Sequence, residues 1–411
     1  MSDEPHPVRA LLSKASALGN PGYWDWPEIP VRWHFESGLP DPVTFPIDEL
    51  VRLTERVLRE DAEEALQYGG GRRGSIVYGY EGLRELLVER TARVDGRELD
   101  LRHIMLTSGG VQGITAACHA LVDPGDVVAV EAPTWGAAIT AARLAGGEPV
   151  PIPMDGDGMQ IDALEREIER IAAEGKRLKL VYTIATFHTP TGTCLSLERR
   201  RRLLELARRH QFMILEDNCY GELRYSGEPL PSLFSLDEDG LVLKVDTFSK
   251  LLAPAFRVGW VSGHEDVIAA LSAVRGDLGV SQWLARVLAG FMEEGRLEPH
   301  IEYVNGVYRA KLDTAVRALQ EHCAPYATWT RPDGGFFVWI ELKDSVDPKS
   351  VMKKAIADGV VCRPGERFFG RQEDGRNFLR MAFVTVPEEE LERGIAALGK
   401  AMADSTLGEA R

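Results

Sequence analysis

The chain has 411 residues, 44% of them hydrophobic and 27% charged, which are ordinary globular values and leave room for roughly two or three domains or one large α/β subunit. Its formal charge of −15 argues against a nucleic-acid-binding surface, which needs clustered Lys and Arg. No apolar run approaches a membrane span, and the five cysteines (Cys118, Cys194, Cys219, Cys323, Cys362) show neither metal nor disulfide spacing, so a soluble, cytoplasmic protein is expected.

In chain order, residues 1 to about 45 lack the layout of a signal peptide and, rich in Pro and Trp (Trp24, Trp26, Trp33), read as an irregular arm. Helical periodicity covers Ile47 to Leu66, and a Gly-rich loop begins at Gly69. Strand-like runs then alternate with amphipathic helices: His103–Thr107, Val127–Glu131, Pro149–Pro153, Leu178–Ile184, Phe212–Glu216, Leu241–Val245 and Val258–Ser262. The basic run Arg199–Arg202 opens one of these helices and reads as a solvated face. A long helix from about His300 to His322 leads into a mixed tail with strands near Gly335–Glu341 and Phe378–Phe383. The pattern predicts an α/β fold: a mainly parallel sheet covered by helices on both faces, and a smaller α+β domain. The expected division is a large domain over 46–297 and a small one built from 1–45 with 298–411.

The residues with chemical potential cluster where strands hand over to loops, which is where such sheets place their sites. Lys250, in Asp246-Thr247-Phe248-Ser249-Lys250, follows an apolar β-run, with Arg257 shortly after it. A lysine delivered to the mouth of a buried strand either snorkels to water or serves imine chemistry, for which its pKa must fall. Ser108-Gly109-Gly110-Val111-Gln112 turns from strand to helix and could present backbone N–H groups to an anion, or simply reverse the chain. Trp135 stands just past the next strand and is either a site ring or a half-buried packing residue. Asp217 ends another β-run, where a buried carboxylate requires a nearby cation. His188, in Phe187-His-Thr-Pro-Thr-Gly192, is a turn histidine that is catalytic or structural.

The ordered series Gly79-Tyr-Glu-Gly-Leu-Arg84, Ser108-Gly-Gly, Pro190-Thr-Gly, Glu216-Asp-x-x-Tyr220, Ser249-Lys250 with Arg257, and Arg380 resembles fold-type I pyridoxal 5′-phosphate enzymes. The match is to class I/II aminotransferases of the aminoadipate type and covers nearly the whole chain. The resemblance implies that Lys250 forms the Schiff base with the cofactor and shuttles the substrate proton. It implies that Asp217 pairs with the pyridine nitrogen, Tyr220 bonds the 3′-oxygen and Trp135 stacks on the ring. Gly109, Gly110, Val111, Thr247, Ser249 and Arg257 correspond to the phosphate site, completed by Tyr68 from a neighbouring subunit, hence a homodimer with shared sites. Arg380, with Gly38 and Thr189, falls on the substrate side, and Arg suits a carboxylate in two-point fashion.

Four departures accompany the match. Thr189 replaces the usual asparagine, Trp135 a smaller ring, and Gly110 a serine; the loop over 69–79 is also long. An aminotransferase that exchanges an L-amino acid with a 2-oxo acid is the leading expectation. A pyridoxal-phosphate elimination, β- or γ-replacement or cyclisation enzyme of specialised biosynthesis is the alternative, and a non-enzymatic regulator a third. Trp24, Trp26, Trp33 and the long loop are expected to shape the side-chain pocket, although aromatic residues in an arm are as often packing anchors.

Overall fold

The computed structural model describes residues 11–18, 31–69 and 76–407; Trp24, Trp26 and residues 70–75 of the glycine-rich loop lie outside these. A short pair, β1 (Trp33–His34), comes first. The main sheet follows: β2 (Ile104–Thr107), β3 (Val127–Ala132), β4 (Glu148–Asp155), β5 (Gly158–Met159), β6 (Leu178–Thr183), β7 (Met213–Asp217), β8 (Val242–Thr247) and β9 (Gly259–Ser262). Its spatial order is β2-β9-β8-β7-β6-β3-β4-β5. The five strands from β8 to β4 pair in parallel, β9 is antiparallel to β2 and β8, and β5 turns back on β4.

Near-continuous burial along β3, β6 and β8 requires cover on both faces. Helices Gly110–Leu121, Gly136–Leu144 and Glu265–Val274 cover one face, and Ile161–Ala173 and Leu197–His210 the other. The chain places β4 on one side of β3 and builds β6, β7 and β8 on the other. Connections therefore diverge at the carboxyl ends of β3 and β6 and open a crevice there.

Two readings of the sequence are corrected. The helix expected over Ile47–Leu66 runs from Ile47 to Glu60, breaks at Asp61 (φ −127°), and resumes only as Ala62–Ala65. The arginine run is not uniformly solvated, because Arg200 is fully buried on the inner face of its helix beside Leu203 and Ala207. Its guanidinium donates to the carbonyls of Ala185 (2.6 Å), Leu195 (2.9 Å) and Pro231 (3.0 Å) and to Thr186 Oγ1 (2.9 Å). Satisfying so many donors offsets the desolvation of the cation, and it fixes the base of the turn that carries Thr189.

The small sheet consists of β10 (Ala327–Trp329), β11 (Phe337–Leu342), β13 (Arg363–Pro364) and β14 (Phe378–Ala382), antiparallel in the order β10-β11-β14-β13, while β12 (Val360–Val361) pairs in parallel with β1. Helices Leu297–His322 and Glu388–Ala403 pack on each other and share its core. Just past β1, the Phe35 carbonyl accepts from the Ala382 N–H of β14 (2.6 Å), which lays the segment that ends at Gly38 against this sheet.

Buried Lys311 fastens the next turn of that segment. It is paired with Asp41 and donates to the carbonyls of Val384 (2.6 Å) and Val386 (2.9 Å). Lys311→Ala strands a largely buried carboxylate, so it is expected to lower unfolding free energy by about 3 kcal/mol. Denaturant titration measures this, and a change below about 1 kcal/mol, the range of a surface pair, would contradict it.

Candidate active site

Lys250 lies on the turn between β8 and β9. Phe248, packed on Trp260 (centroids 5.0 Å apart), and the buried Leu251 and Leu252 anchor that turn. The lysine does not snorkel outward. Its Nζ donates to the Gly38 carbonyl at 2.7 Å and lies 5.8 Å from the Tyr220 ring centroid. Burial pushes its pKa down, and the nearby Arg380 and Arg257 act in the same sense.

Asp217, the last residue of β7, accepts from the Tyr182 hydroxyl at Oδ2 (2.8 Å) and from the Cys219 N–H at Oδ1 (3.3 Å). Burial pushes its pKa up, opposed by Tyr182, Cys219 and Lys250. Lys250 is the weakest of these influences, and among the described residues no cation stands within ion-pair distance of Asp217. The adjacent Glu216 points to the other face, where it accepts from the N–H groups of Leu233 and Phe234 (2.9 Å each) and caps the short helix Leu233–Leu236. Only one of the two neighbouring carboxylates therefore serves the crevice. Asn218 holds the loop in place by donating to Asp246 (2.7 Å), itself beside the Lys244–Asp95 ion pair.

Tyr220 is buried edge-on to Phe336 (5.3 Å) and Phe337 (5.6 Å). Burial pushes its phenol well up in pKa, with the neighbouring Thr189 hydroxyl opposing. Thr189 Oγ1 is otherwise an orphaned buried atom. Gly38 closes this wall: a Cβ there would sit 3.2 Å from the Phe337 ring and 3.9 Å from the Tyr220 oxygen.

A second group forms around the strand-to-helix turn. Gly109 (φ +73°) precedes the helix that starts at Gly110, and a Cβ on it would fall 2.3 Å from Arg257 Nη2. Arg257 donates to the Ser108 carbonyl (2.8 Å) and approaches Ser249 Oγ (3.5 Å), which receives the Thr247 hydroxyl (2.9 Å). Helix N–H groups, two hydroxyls and a guanidinium converge here as an anion cradle. Gln112, part of the turn motif but given no role from sequence, braces the cradle: its Oε1 accepts from Ser108 N (2.6 Å) and its amide donates to Asp277 (2.7 Å), which Arg275 holds. Val111 is 45% exposed at the edge.

Arg380, on β14 opposite Trp339 of β11, donates to the Glu36 carbonyl (2.6 Å) and lies 4.0 Å over the Phe337 ring and 5.1 Å from that of Phe368. Trp135 is half-buried before helix Gly136–Leu144, and the preceding Thr134 N–H bonds the Phe368 carbonyl (2.8 Å), tying this loop to the small domain. Tyr68 stands apart, 76% exposed in a groove with Leu278 and Trp283.

Two open alternatives fall on the structural side. Trp33 is a packing anchor whose indole donates to Glu390 (3.0 Å), not a pocket wall. His188 is fully buried, with Nε2 3.1 Å from Glu131 and Nδ1 2.9 Å from Thr191 Oγ1, and so braces the turn that carries Thr189.

The arrangement fits pyridoxal 5′-phosphate in its donor set: an anion cradle shaped around a glycine, a buried carboxylate, and a lysine whose charge is disfavoured. The family model for aminotransferase class I and II matches residues 48–398. Aromatic-amino-acid aminotransferase 1 of Thermococcus litoralis is 39% identical over 90% of this chain and 87% of its own. The 2-aminoadipate transaminase of Thermus thermophilus is 31% identical over 90% and 89%. A kynurenine aminotransferase of Pyrococcus horikoshii, solved in complex with PMP, superposes with a TM-score of 0.89 at 33% identity, covering 97% of this chain and 98% of that one. These matches favour transamination over elimination, replacement or cyclisation. The chain belongs to the class I and II aminotransferases, in their aminoadipate-type branch, and is a pyridoxal 5′-phosphate-dependent enzyme that transfers amino groups of amino acids.

Proposed function

We propose that Lys250 is the cofactor attachment point and the proton carrier of this aminotransferase, and that its substrate is an L-amino acid with an aromatic or otherwise extended side chain. The observation that carries the first reading is a lysine with depressed pKa, held 2.7 Å from the Gly38 carbonyl amid Asp217, Tyr220 and Arg380. When bound, the cofactor supplies an aldehyde for the substrate amine and a ring that draws electrons from the adjacent carbon. The neutral Lys250 amine takes the proton from the substrate Cα and returns one on the cofactor side. Asp217 keeps a proton on the pyridine nitrogen. Tyr220 and Thr189 hold the 3′-oxygen, and Trp135 covers the ring face. The backbone at Gly109, Gly110 and Val111, with Thr247, Ser249 and Arg257, binds the phosphate.

Arg380, flanked by Gly38 and Thr189, takes the substrate carboxylate. The rings of Phe337, Phe368 and Trp339 around it support an aromatic substrate, as do the names of the relatives. The exposure of Tyr68 supports a homodimer in which each subunit lends this phenol to the other's phosphate site. The two sheets support a large domain over 46–297 and a small one from 1–45 with 298–411. Free cysteines throughout the described residues support a cytoplasmic setting. Among these residues no helix is long and apolar enough to cross a membrane.

Incubation with 15N-labelled phenylalanine or 2-aminoadipate and an unlabelled 2-oxo acid tests the reaction. Label should appear in the amino acid formed from the acceptor, at equal yield to the keto acid released. Keto acid and free labelled ammonia without any acceptor would overturn it. Arg380→Ala is expected to raise KM for the amino acid roughly tenfold to a hundredfold, the range for a lost charge-assisted hydrogen bond. Steady-state kinetics reads this, and an unchanged KM would remove Arg380 from carboxylate binding.

A further inference from the structure

Tyr182 was not among the residues singled out in the sequence, and no function of the site yet uses it. It lies on β6 opposite Leu215 of β7, and Asp217 is two residues beyond Leu215. Paired residues of neighbouring strands share a face, and so do residues two apart. Tyr182 and Asp217 therefore emerge on the same side of the sheet, with the phenol one step behind the carboxylate. The ring packs among Val130, Leu215 and Val245 beneath the crevice, 2% exposed, and its only polar atom reaches Asp217 Oδ2 at 2.8 Å.

We propose that Tyr182 is a positioning residue for the cofactor: its hydroxyl occupies Asp217 Oδ2 and turns Oδ1 toward the pyridine nitrogen. This rests on the reading that Asp217 faces that nitrogen. The geometry favours a directed role over a buried phenol that merely found an acceptor. Oδ1 accepts from the Cys219 N–H at a long 3.3 Å and, as a carboxylate oxygen with a second lone pair, keeps capacity for a further donor, whereas Oδ2 is engaged by the phenol at 2.8 Å. Burial, with Asp217 beside it, holds the Tyr182 pKa well above the ordinary phenol range, so the group acts as a donor. Burial pushes Asp217 toward its neutral form and the Tyr182 hydroxyl is the foremost group opposing that push. A neutral Asp217 could not hold a proton on the pyridine nitrogen.

A double-mutant cycle on cofactor affinity separates this from a packing role, because Tyr182→Phe keeps the ring. Apoprotein variants are titrated with pyridoxal 5′-phosphate, and the Kd is read from the absorbance of the bound cofactor. Tyr182→Phe should raise Kd about tenfold or more in the parent chain, the range for losing a hydrogen bond to a charged group. In the Asp217→Ala background it should change Kd less than about twofold, because no carboxylate remains to orient. Steady-state kinetics should show kcat lowered with KM for the amino acid unchanged, since Arg380 is untouched. An equal rise in Kd in both backgrounds, or none in the parent chain, overturns the role of Tyr182. If Asp217→Ala alone leaves Kd unchanged, it is the reading of Asp217 that fails.

Discussion

Lys250→Ala lowers kcat for amino-group transfer by about 10⁴-fold or more, the upper range for removing a positioned proton carrier. The loss is chemical, not structural. Phe248, Leu251 and Leu252 anchor the turn without Lys250, so thermal unfolding should stay near that of the parent chain. The cofactor should still bind through the phosphate cradle. The physical ground for choosing Lys250 is its contrast with Lys244, the other inward lysine of this strand and turn. Burial lowers the pKa of both, but at Lys244 the carboxylates of Asp246 and Asp95 more than reverse it, and Asp95 lies 2.8 Å away. At Lys250 the opposing pull of Cys219 and Asp217 does not outweigh burial, and two arginines act in the same sense as burial. One lysine is locked as an ammonium in an ion pair; the other is prepared to lose its proton. Turnover of the Lys250→Ala variant within about tenfold of the parent would contradict this.

Asp217→Ala comes next in size. Breaking a buried ion pair costs about 3 kcal/mol or more, roughly two powers of ten, and in the proposed reading the partner is the pyridinium of the bound cofactor. The variant should fold, because removing a buried carboxylate also removes its desolvation penalty, which is already pushing the Asp217 pKa up. The loss should appear in kcat for Cα deprotonation, with a primary isotope effect on Cα-deuterated substrate larger than in the parent. Near-parental kcat would remove the proton-holding role. Asp217→Asn, which keeps the shape without the charge, should resemble Asp217→Ala.

The sheet was legible because buried parallel strands are short apolar runs bounded by turns, and that signal is local. So was the placement of Lys250, Asp217, Trp135 and Thr189 at strand ends. Three kinds of information were not local. Arg200 looked solvated in a row of arginines, and only its helical spacing to Leu203 and Ala207 hinted that it faces inward. The partnership of Tyr182 with Asp217 depends on the register of two strands separated by a helix, which no periodicity encodes. The aromatic wall around Arg380 joins Phe337 and Phe368 from separate parts of the small domain. Trp33 stayed open for a related reason: an indole in an arm has the same composition signal whether it lines a pocket or, as here, packs and donates to Glu390.

The central claim is that one lysine, Lys250, carries the cofactor. Borohydride reduction of the cofactor-loaded protein, followed by proteolysis and peptide mass spectrometry, tests it most directly. A pyridoxyl group should be found on the peptide containing Lys250 and should vanish in Lys250→Ala. A stoichiometric adduct on Lys244 or any other lysine of the parent chain would contradict it.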